Sequence, residues 1–298
     1  QYTSNLLMVR PASFQFNVET AVSNAFQKSL DGLTAEEIKQ KAIEEFDAYV
    51  EKLRTNKINV TVIQDTLEPA KPDAIFPNNW ISMHENGNVF LFPMNTENRR
   101  LEVRPEIIDT LKASFIIHDI QDLRTSIQEN KFLEGTGSII FDHIHKMAYA
   151  CLSPRTDKDI FLQYCKMIGY EPIYFTSADA QDNLVYHTNV MLTIGDTFAV
   201  ICLESINDNG EQYYIGKRLK ETGHEIIDIT FAQMNAFAGN MLQVQNTEGK
   251  TFLVMSETAF HSLTAEQIAQ IENHTSILPV SIPTIETIGG GSARCMIA

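Results

Sequence analysis

The chain has 298 residues, of which 44% are hydrophobic, so it can bury a substantial core. Its 38 acidic and 23 basic residues give a formal net charge of −15, which argues against a nucleic-acid surface or an anionic membrane as partner. The four cysteines form no C-x-x-C pair, and no apolar run approaches the length of a signal peptide or a membrane span. We therefore expect a cytoplasmic protein with reduced thiols.

Strands and helices alternate along the chain. The first clear helix is predicted from Thr34 to Arg54, because Thr34 and Glu37 form a capping box and apolar residues follow at helical spacing. Hydrophobic patterning predicts further helices over 104–114, 157–168 and 211–222, and one opened by a Thr264/Gln267 capping box. The predicted strands are 59–63, 89–92, 115–117, 138–141, 147–152, 171–175, 189–194, 198–203, 225–228, 241–244, 252–255 and 276–280.

These elements form a repeat in the order strand, strand, helix, strand. The unit is roughly 40 to 50 residues long, within the range typical of repeat architectures. It is clear in three copies and traceable in five. Such copies favour a closed ring, with an ordinary mixed α/β domain as the alternative. No linker rich in Pro, Gly or Ser divides the chain, so residues 1–298 are predicted to form a single domain.

The C-terminal segment carries the main candidate for chemistry. Three glycines at 289–291 precede the segment Ser292–Cys295. A glycine run suits a backbone that turns tightly or approaches a ligand closely, so Cys295 is a candidate nucleophile. The alternative is that Cys295 is a small apolar residue in a last core strand.

Three other polar segments lie at the starts of predicted strands. They are residues 72–80 (PDAIFPNNW), 134–138 (EGTGS) and 186–189 (YHTN). A nucleophilic cysteine needs a base, a group that orients the base, and a polar pocket. Because equivalent strand ends meet near the axis of a radial repeat, we expect these segments and Cys295 to converge.

Together these segments resemble a known family. The order F-x-x-(acid or amide), E-G-x-G, His at a strand start and a Gly-rich loop ending in Cys is similar to the guanidine-modifying enzymes: arginine deiminases, dimethylarginine dimethylaminohydrolases and amidinotransferases. The resemblance covers nearly the whole chain and includes residues 8–14 (MVRPASF), 99–102 (RRLE) and 152–156 (LSPRT). It implies an α/β fold, a five-bladed propeller of ββαβ repeats. The segments FPNNW and EGTGS look most like those of the citrulline-utilising hydrolases (citrulline ureidases).

The resemblance also implies residue roles. Cys295 would be the nucleophile, His187 the general acid/base and Glu134 the carboxylate beside it. Arg155, with Arg99, would hold the α-carboxylate of an amino-acid substrate, since a guanidinium binds a carboxylate through two hydrogen bonds.

The chain departs from its arginine-acting relatives at three positions that are acidic in them. These are Asn79, Asn189, and Gly137 or Ser138. A buried guanidinium needs carboxylate acceptors, each worth about 1.5–3 kcal/mol, whereas an amide serves both the C=O and the N–H groups of a neutral ureido group. Asp73 would face the α-ammonium or the reacting group. We therefore expect citrulline as the substrate, with Asn79 and Asn189 among its binding residues.

The predicted reaction is hydrolysis of citrulline to ornithine, CO2 and ammonia through a covalent Cys295 intermediate. We expect His187 or local N–H groups to stabilise the thiolate. The alternatives are an arginine or methylarginine deiminase or dihydrolase, and a non-catalytic binder of arginine-like amino acids. No cofactor or metal is expected, because His143 and His145 have no further ligand set in the sequence. The expected partner is the amino-acid substrate, and the sequence is compatible with a homo-oligomer.

Overall fold

A computed structural model of the protein describes residues 2–30 and 32–298. The strands of this part of the chain are β1 (Asn5–Arg10), β2 (Asn59–Gln64), β3 (Ile81–Met83), β4 (Asn88–Leu91), β5 (Asp119–Asp122), β6 (Ile140–Asp142), β7 (Met147–Cys151), β8 (Glu171–Phe175), β9 (Leu192–Ile194), β10 (Phe198–Ile201), β11 (Glu225–Asp228), β12 (Leu242–Gln245), β13 (Thr251–Ser256) and β14 (Ser276–Val280). The helices are α1 (Val18–Ala21), α2 (Ala35–Thr55), α3 (Glu97–Arg100), α4 (Pro105–Lys112), α5 (Gly135–Ser138), α6 (Lys158–Ile168), α7 (Asn209–Glu221), α8 (Phe231–Asn235), α9 (Glu257–Ser262), α10 (Ala265–Glu272) and α11 (Pro283–Gly289).

The described strands form five small sheets, and four of the five share one plan. The first strand of each is antiparallel to the second, and the third returns parallel to the second after a helix, as in β6-β7-β8 and β12-β13-β14. A parallel return needs a crossover connection, which the helix supplies. This arrangement confirms the predicted ββαβ repeat and the five-bladed α/β fold.

The remaining sheet is built from both ends of the chain. Strands β1 and β2 are parallel. On the other side of β1, Leu7 N donates to Ala298 O at 2.8 Å, and Ala298 N donates to Leu7 O at 3.0 Å. The C-terminal residues therefore take the place that an antiparallel first strand takes in the other four sheets. This pairing closes the ring and fixes the segment that carries Cys295.

The longest helix follows its sequence signals closely. The capping box predicted at its start is present, because Thr34 Oγ1 accepts from Glu37 N at 3.2 Å and Glu37 Oε2 accepts from Thr34 N at 2.7 Å. Phe46, Tyr49 and Leu53 then bury one face of α2. The predicted helix 34–54 is thus confirmed as Ala35–Thr55. Across the described residues, no helix combines the length and apolar character needed to cross a bilayer.

Two predicted strands differ from the structure. Residues 115–117 are not a strand: Phe115 N donates to Leu111 O at the end of α4, and Ile116 is exposed. The third strand of that sheet is β5, whose polar, exposed sequence hid it from a search for apolar runs. The predicted strand 189–194 begins with a turn of 3-10 helix, Thr188–Val190. Cys295 lies in a 3-10 turn, Ala293–Met296, and not in the core strand that was the alternative interpretation of this segment.

Candidate active site

Four single helical turns converge at one end of the ring. Pro77–Asn79 precedes β3, α5 precedes β6, Thr188–Val190 precedes β9, and Ala293–Met296 precedes the residues that pair with β1. The turn before β3 packs against both α5 and the turn at Ala293–Met296, and α5 also packs against Thr188–Val190. Because each turn starts the innermost strand of its sheet, the closed ring brings together side chains far apart in sequence.

The glycines of the 134–138 segment permit this close approach. Gly135 has a φ of +47°, and a Cβ there would lie 3.0 Å from Asn79 O. A Cβ at Gly137 would overlap Asn79 Nδ2 and lie 2.7 Å from His187 Nδ1. Those two polar atoms therefore flank the same point, which stays open only because residue 137 has no side chain.

His187 and Glu134 form the central buried pair, with 2.8 Å between Nε2 and Oε2. Burial opposes ionisation of Glu134, but Arg155 Nη1, 3.6 Å from Oε2, and the hydrogen bond from His187 hold the pKa of that carboxyl at about 2. Burial lowers the pKa of His187 to about 4 despite the neighbouring carboxylate. At neutral pH the imidazole is therefore neutral and donates Nε2–H to Glu134, so the lone pair on Nδ1 faces Gly137.

Cys295 lies beside two amide groups. Its side chain is buried, and Sγ is 3.3 Å from Asn189 Nδ2 and 3.2 Å from Asn240 Nδ2. Asn240 is held in place because Nδ2 also donates to Asn189 O at 2.9 Å and Oδ1 accepts from Arg294 N at 3.1 Å. Two N–H donors thus point at the sulfur, which is the arrangement that stabilises negative charge on it.

Asn240 is a site residue that the sequence analysis missed. It follows Gly239 and stands just before β12, the innermost strand of the last sheet. The other polar segments occupy the equivalent place in their own repeats. Its position in the repeat was therefore the signal that could have found it.

Arg99 contacts Asn79 and fixes the orientation of its amide. Arg99 Nη1 donates to Asn79 Oδ1 at 2.7 Å, while Nε and Nη2 donate to Glu102 at 2.8 and 2.9 Å. Burial lowers the pKa of Arg99, but the neighbouring Glu102 carboxylate outweighs burial and raises that pKa above its ordinary value. From the resemblance, Arg99 is expected to help hold a substrate carboxylate. In the structure its guanidinium is engaged by protein groups, so we treat it as a positioning residue.

Asn79 consequently presents a hydrogen-bond donor to the site. With Oδ1 directed at Arg99, Nδ2 is directed towards Gly137 and His187 and has no partner among the described residues. An amide held by one end leaves only its other end for a ligand. Asn79 therefore offers the site an N–H group and not an acceptor.

Asp73 is a buried carboxylate, and only one of its two oxygens accepts hydrogen bonds from described residues. Oδ2 accepts from Asn17 Nδ2 at 2.7 Å and from Thr20 Oγ1 at 3.2 Å. Oδ1 has no partner within residues 2–30 and 32–298. Burial raises the pKa of Asp73, against the opposing effect of Arg99, whose Nε is 3.9 Å from Oδ2. A cationic ligand group on Oδ1 would relieve this desolvation.

Arg155 lies against the same N-terminal segment. Its Nε donates to Ser23 Oγ at 3.0 Å, and Nη2 donates to Thr20 O at 3.0 Å. Its guanidinium also stacks on Tyr186, 4.9 Å from the ring centre. Arg155 and Asp73 thus both contact residues 17–23.

The residues named from the sequence lie at one end of the ring, where three separate sets of contacts join them. Hydrogen bonds or ion pairs link Glu134 with His187 and Arg155, and Arg99 with Asn79 and Asp73. A third contact joins Asn189 to Cys295.

The sequence model of the eukaryotic N,N-dimethylarginine dimethylhydrolase family matches residues 10–298. The chain belongs to this family. Its fold is that of the guanidino-modifying (pentein) superfamily, and members of the family are hydrolases that act on guanidino C–N bonds. No curated protein sequence matches the chain significantly.

Solved structures show the same fold as this member of the family. ArgZ, an arginine dihydrolase from the ornithine-ammonia cycle in cyanobacteria, superposes with a TM-score of 0.75 at 16% identity, over 98% of this chain and 40% of ArgZ. Unliganded AgrE gives a TM-score of 0.76 at 16% identity, over 99% of this chain and 38% of AgrE. A dimethylarginine dimethylaminohydrolase adduct with S-methyl-L-thiocitrulline gives 0.66 at 16% identity, over 100% and 99% of the two chains. The chain thus spans about two fifths of the ArgZ and AgrE chains.

Proposed function

We propose that this protein hydrolyses the ureido group of citrulline to ornithine, CO2 and ammonia, with Cys295 as the nucleophile. The observation that carries the proposal is the orientation of Asn79. Arg99 holds Oδ1, so Nδ2 faces the reacting end of the site. A guanidinium has only N–H donors, so it would place a donor against the Asn79 Nδ2 donor. The C=O of a ureido group instead accepts a hydrogen bond from Nδ2.

Asn189 offers the site a hydrogen-bond acceptor, where Asn79 offers a donor. Its Nδ2 lies against Cys295 Sγ, which leaves Oδ1 as an acceptor without a partner among the described residues. That oxygen suits an N–H of the ureido group. Both oxygens of Glu134 are already engaged, by His187 and by Asn95 N at 2.9 Å. The groups at the reacting end are thus matched to a neutral ligand with one acceptor and several donors.

Asp73 and Arg155 suit the other end of the substrate. The partnerless Oδ1 of Asp73 would accept from the α-ammonium. The α-carboxylate would take over the hydrogen bonds that the Arg155 guanidinium now donates to Ser23 and Thr20. Burial of Asp73 makes its unpaired charge costly, so a substrate with an α-ammonium fits better than a simple amide or urea.

The reaction begins with a proton transfer inside the site. His187 Nδ1 takes the Cys295 proton, and the imidazolium that forms is stabilised by ionised Glu134. The thiolate attacks the ureido carbon, an S–C bond forms, and the C–N bond breaks as His187 protonates the leaving nitrogen. Water then gives a proton to His187 and adds to the carbon. The S–C bond breaks, and the Cys295 thiolate takes back the proton held by His187. The released carbamic acid decomposes to CO2 and the second nitrogen product, ammonia or ornithine.

The second candidate is an arginine dihydrolase or a deiminase that acts on arginine or a methylarginine. Two observations favour it. ArgZ is an arginine dihydrolase, and AgrE has been solved with L-arginine. In this chain, the partnerless Asp73 Oδ1 is a carboxylate oxygen that could accept from a guanidinium.

The test is product analysis with citrulline, L-arginine and a methylarginine in parallel. We expect ornithine and ammonia from citrulline, and none from the Cys295→Ala variant. Citrulline accumulating from arginine, with no turnover of added citrulline, would instead establish a deiminase. Ornithine from both substrates would establish a dihydrolase. If calorimetry detects binding of these amino acids but no substrate is turned over, the protein is a non-catalytic binder.

A further inference from the structure

Two histidines and an aspartate meet at the end of the ring away from Cys295. Asp142 is the last residue of β6, His145 lies in the turn that follows, and His224 stands just before β11. Strand β6 begins at the catalytic end, directly after α5, and runs towards Asp142. The three residues therefore join the third and fourth blades at the opposite face.

Their ligand atoms are close enough to share one ion. Asp142 Oδ2 is 2.8 Å from His145 Nδ1 and 3.9 Å from His224 Nε2, and all three atoms lie within 4.8 Å of one another. A tetrahedral zinc ion has bonds of about 2.0–2.2 Å, which sets its ligand atoms roughly 3.3–3.5 Å apart. Small rotations of the two imidazoles would give that spacing.

Outer hydrogen bonds already aim these groups inward. His224 Nδ1 is 2.8 Å from Thr222 Oγ1, and Nε2 is 3.1 Å from Gly195 O and 3.9 Å from Asp142 Oδ2. Zinc would replace the contact of Nε2 with Gly195 O, and Thr222 Oγ1 would then accept from Nδ1–H. Asp142 Oδ1 accepts from His145 N at 3.0 Å, so Oδ2 is the oxygen turned to the rings. Such outer partners fix the tautomer and direction of metal ligands. Asp142 and His224 are buried, while the exposed ring of His145 leaves a path for an ion.

We propose that Asp142, His145 and His224 bind a divalent zinc ion, with water in the fourth position. Two neutral imidazoles and one carboxylate are a donor set that suits zinc. The ion would tie the turn after β6 to the residues before β11 and stabilise the folded ring, because it binds the native state only. This proposal is independent of which substrate Cys295 attacks.

The test is zinc titration of chelator-treated protein by calorimetry. The Cys295→Ser variant serves as the parent, because the Cys295 thiol is itself a potential zinc ligand. We expect one zinc per chain and a thermal midpoint that rises with zinc. His145→Ala should weaken binding at least tenfold and abolish the thermal shift. Since His145 is exposed, this variant should fold normally.

His143→Ala is the matched control. His143 lies in the same turn, but its ring stacks on Phe141 and its Nδ1 is 2.9 Å from Tyr170 Oη. Zinc affinity should therefore be unchanged in this variant. Asp142→Asn should weaken binding as His145→Ala does. Absence of stoichiometric binding, or binding that His145→Ala leaves intact, would overturn the proposal and leave a hydrogen-bonded cluster.

Discussion

At the scale of single residues, the direction of one amide sets what the site can accept. Asn79→Asp keeps an acceptor for Arg99 but replaces the inward donor Nδ2 with a carboxylate oxygen. We expect kcat/KM for citrulline to fall about 10- to 100-fold, because the ureido C=O loses its donor and lies against a carboxylate oxygen, at a cost of about 1–3 kcal/mol. Turnover or binding of arginine should rise. Steady-state kinetics with citrulline and with arginine measures both changes in kcat/KM.

Asn79→Ala separates the lost amide from the added charge. It should lose citrulline activity without any gain for arginine. If Asn79→Asp leaves citrulline kinetics unchanged and gains nothing for arginine, the donor at this position does not select the substrate.

The two amides at Cys295 lead to a second prediction. Asn240→Ala removes one N–H group from Sγ, so the thiolate should be less stabilised. We expect alkylation of Cys295 by iodoacetamide to slow, and kcat to fall about 10- to 100-fold with little change in KM. Asn240→Asp retains an acceptor for Arg294 N but places a carboxylate beside the sulfur, and should react more slowly still. Equal alkylation rates in all three proteins would refute this role.

At the scale of elements, the end of α11 positions the nucleophile. Gly290 ends this helix with a φ of +61°, and a Cβ there would lie 2.7 Å from Asn24 Nδ2 and from Gln27 N. Gly290→Ala should lower the free energy of unfolding by at least about 1–2 kcal/mol, since a left-handed conformation costs that much for other residues. Activity should fall with it, because Cys295 lies five residues further on.

Gly216→Ala is the matched control for that change. Gly216 lies inside α7, and a Cβ there would meet no atom within 4 Å. Alanine should therefore stabilise the protein by about 0.5–1 kcal/mol. Urea unfolding of both variants measures the difference. Two glycine variants with equal stability would show that the backbone at 290 is not constrained as the structure indicates.

At the scale of the whole molecule, buried neutral histidines make stability depend on pH. Burial lowers the pKa of His84 to about 4, as it does that of His187, while unfolded histidine titrates near 6.5. Between these values the unfolded chain binds a proton that the folded protein does not. Stability should therefore fall as the pH drops from about 6.5 to about 4, by about 1.4 kcal/mol per pH unit for each such histidine.

Urea unfolding at several pH values across this window checks the prediction. His84 lies away from the active site, and its Nε2 is 2.9 Å from Tyr164 Oη. The variant His84→Gln removes this one titrating group. The slope of unfolding free energy against pH should become shallower by about 1.4 kcal/mol per unit. A slope identical to that of the unchanged protein would mean that His84 is already protonated in the folded state or fails to titrate in this window.

The sequence alone determined the repeating elements, because local hydrophobic period and capping residues dictate them. The strands 171–175, 225–228 and 276–280 and the Thr34 capping box were predicted as observed. It also identified the resemblance and the polar segments that the ring brings together. The partners of polar atoms were decided only by the tertiary structure. The hydrogen bond of Asn79 to Arg99, the contact of Asn240 with Cys295 and the approach of His224 to Asp142 join residues 20 to 82 positions apart. Sequence periodicity records which faces are buried, but it carries no information on which buried polar groups meet across blades.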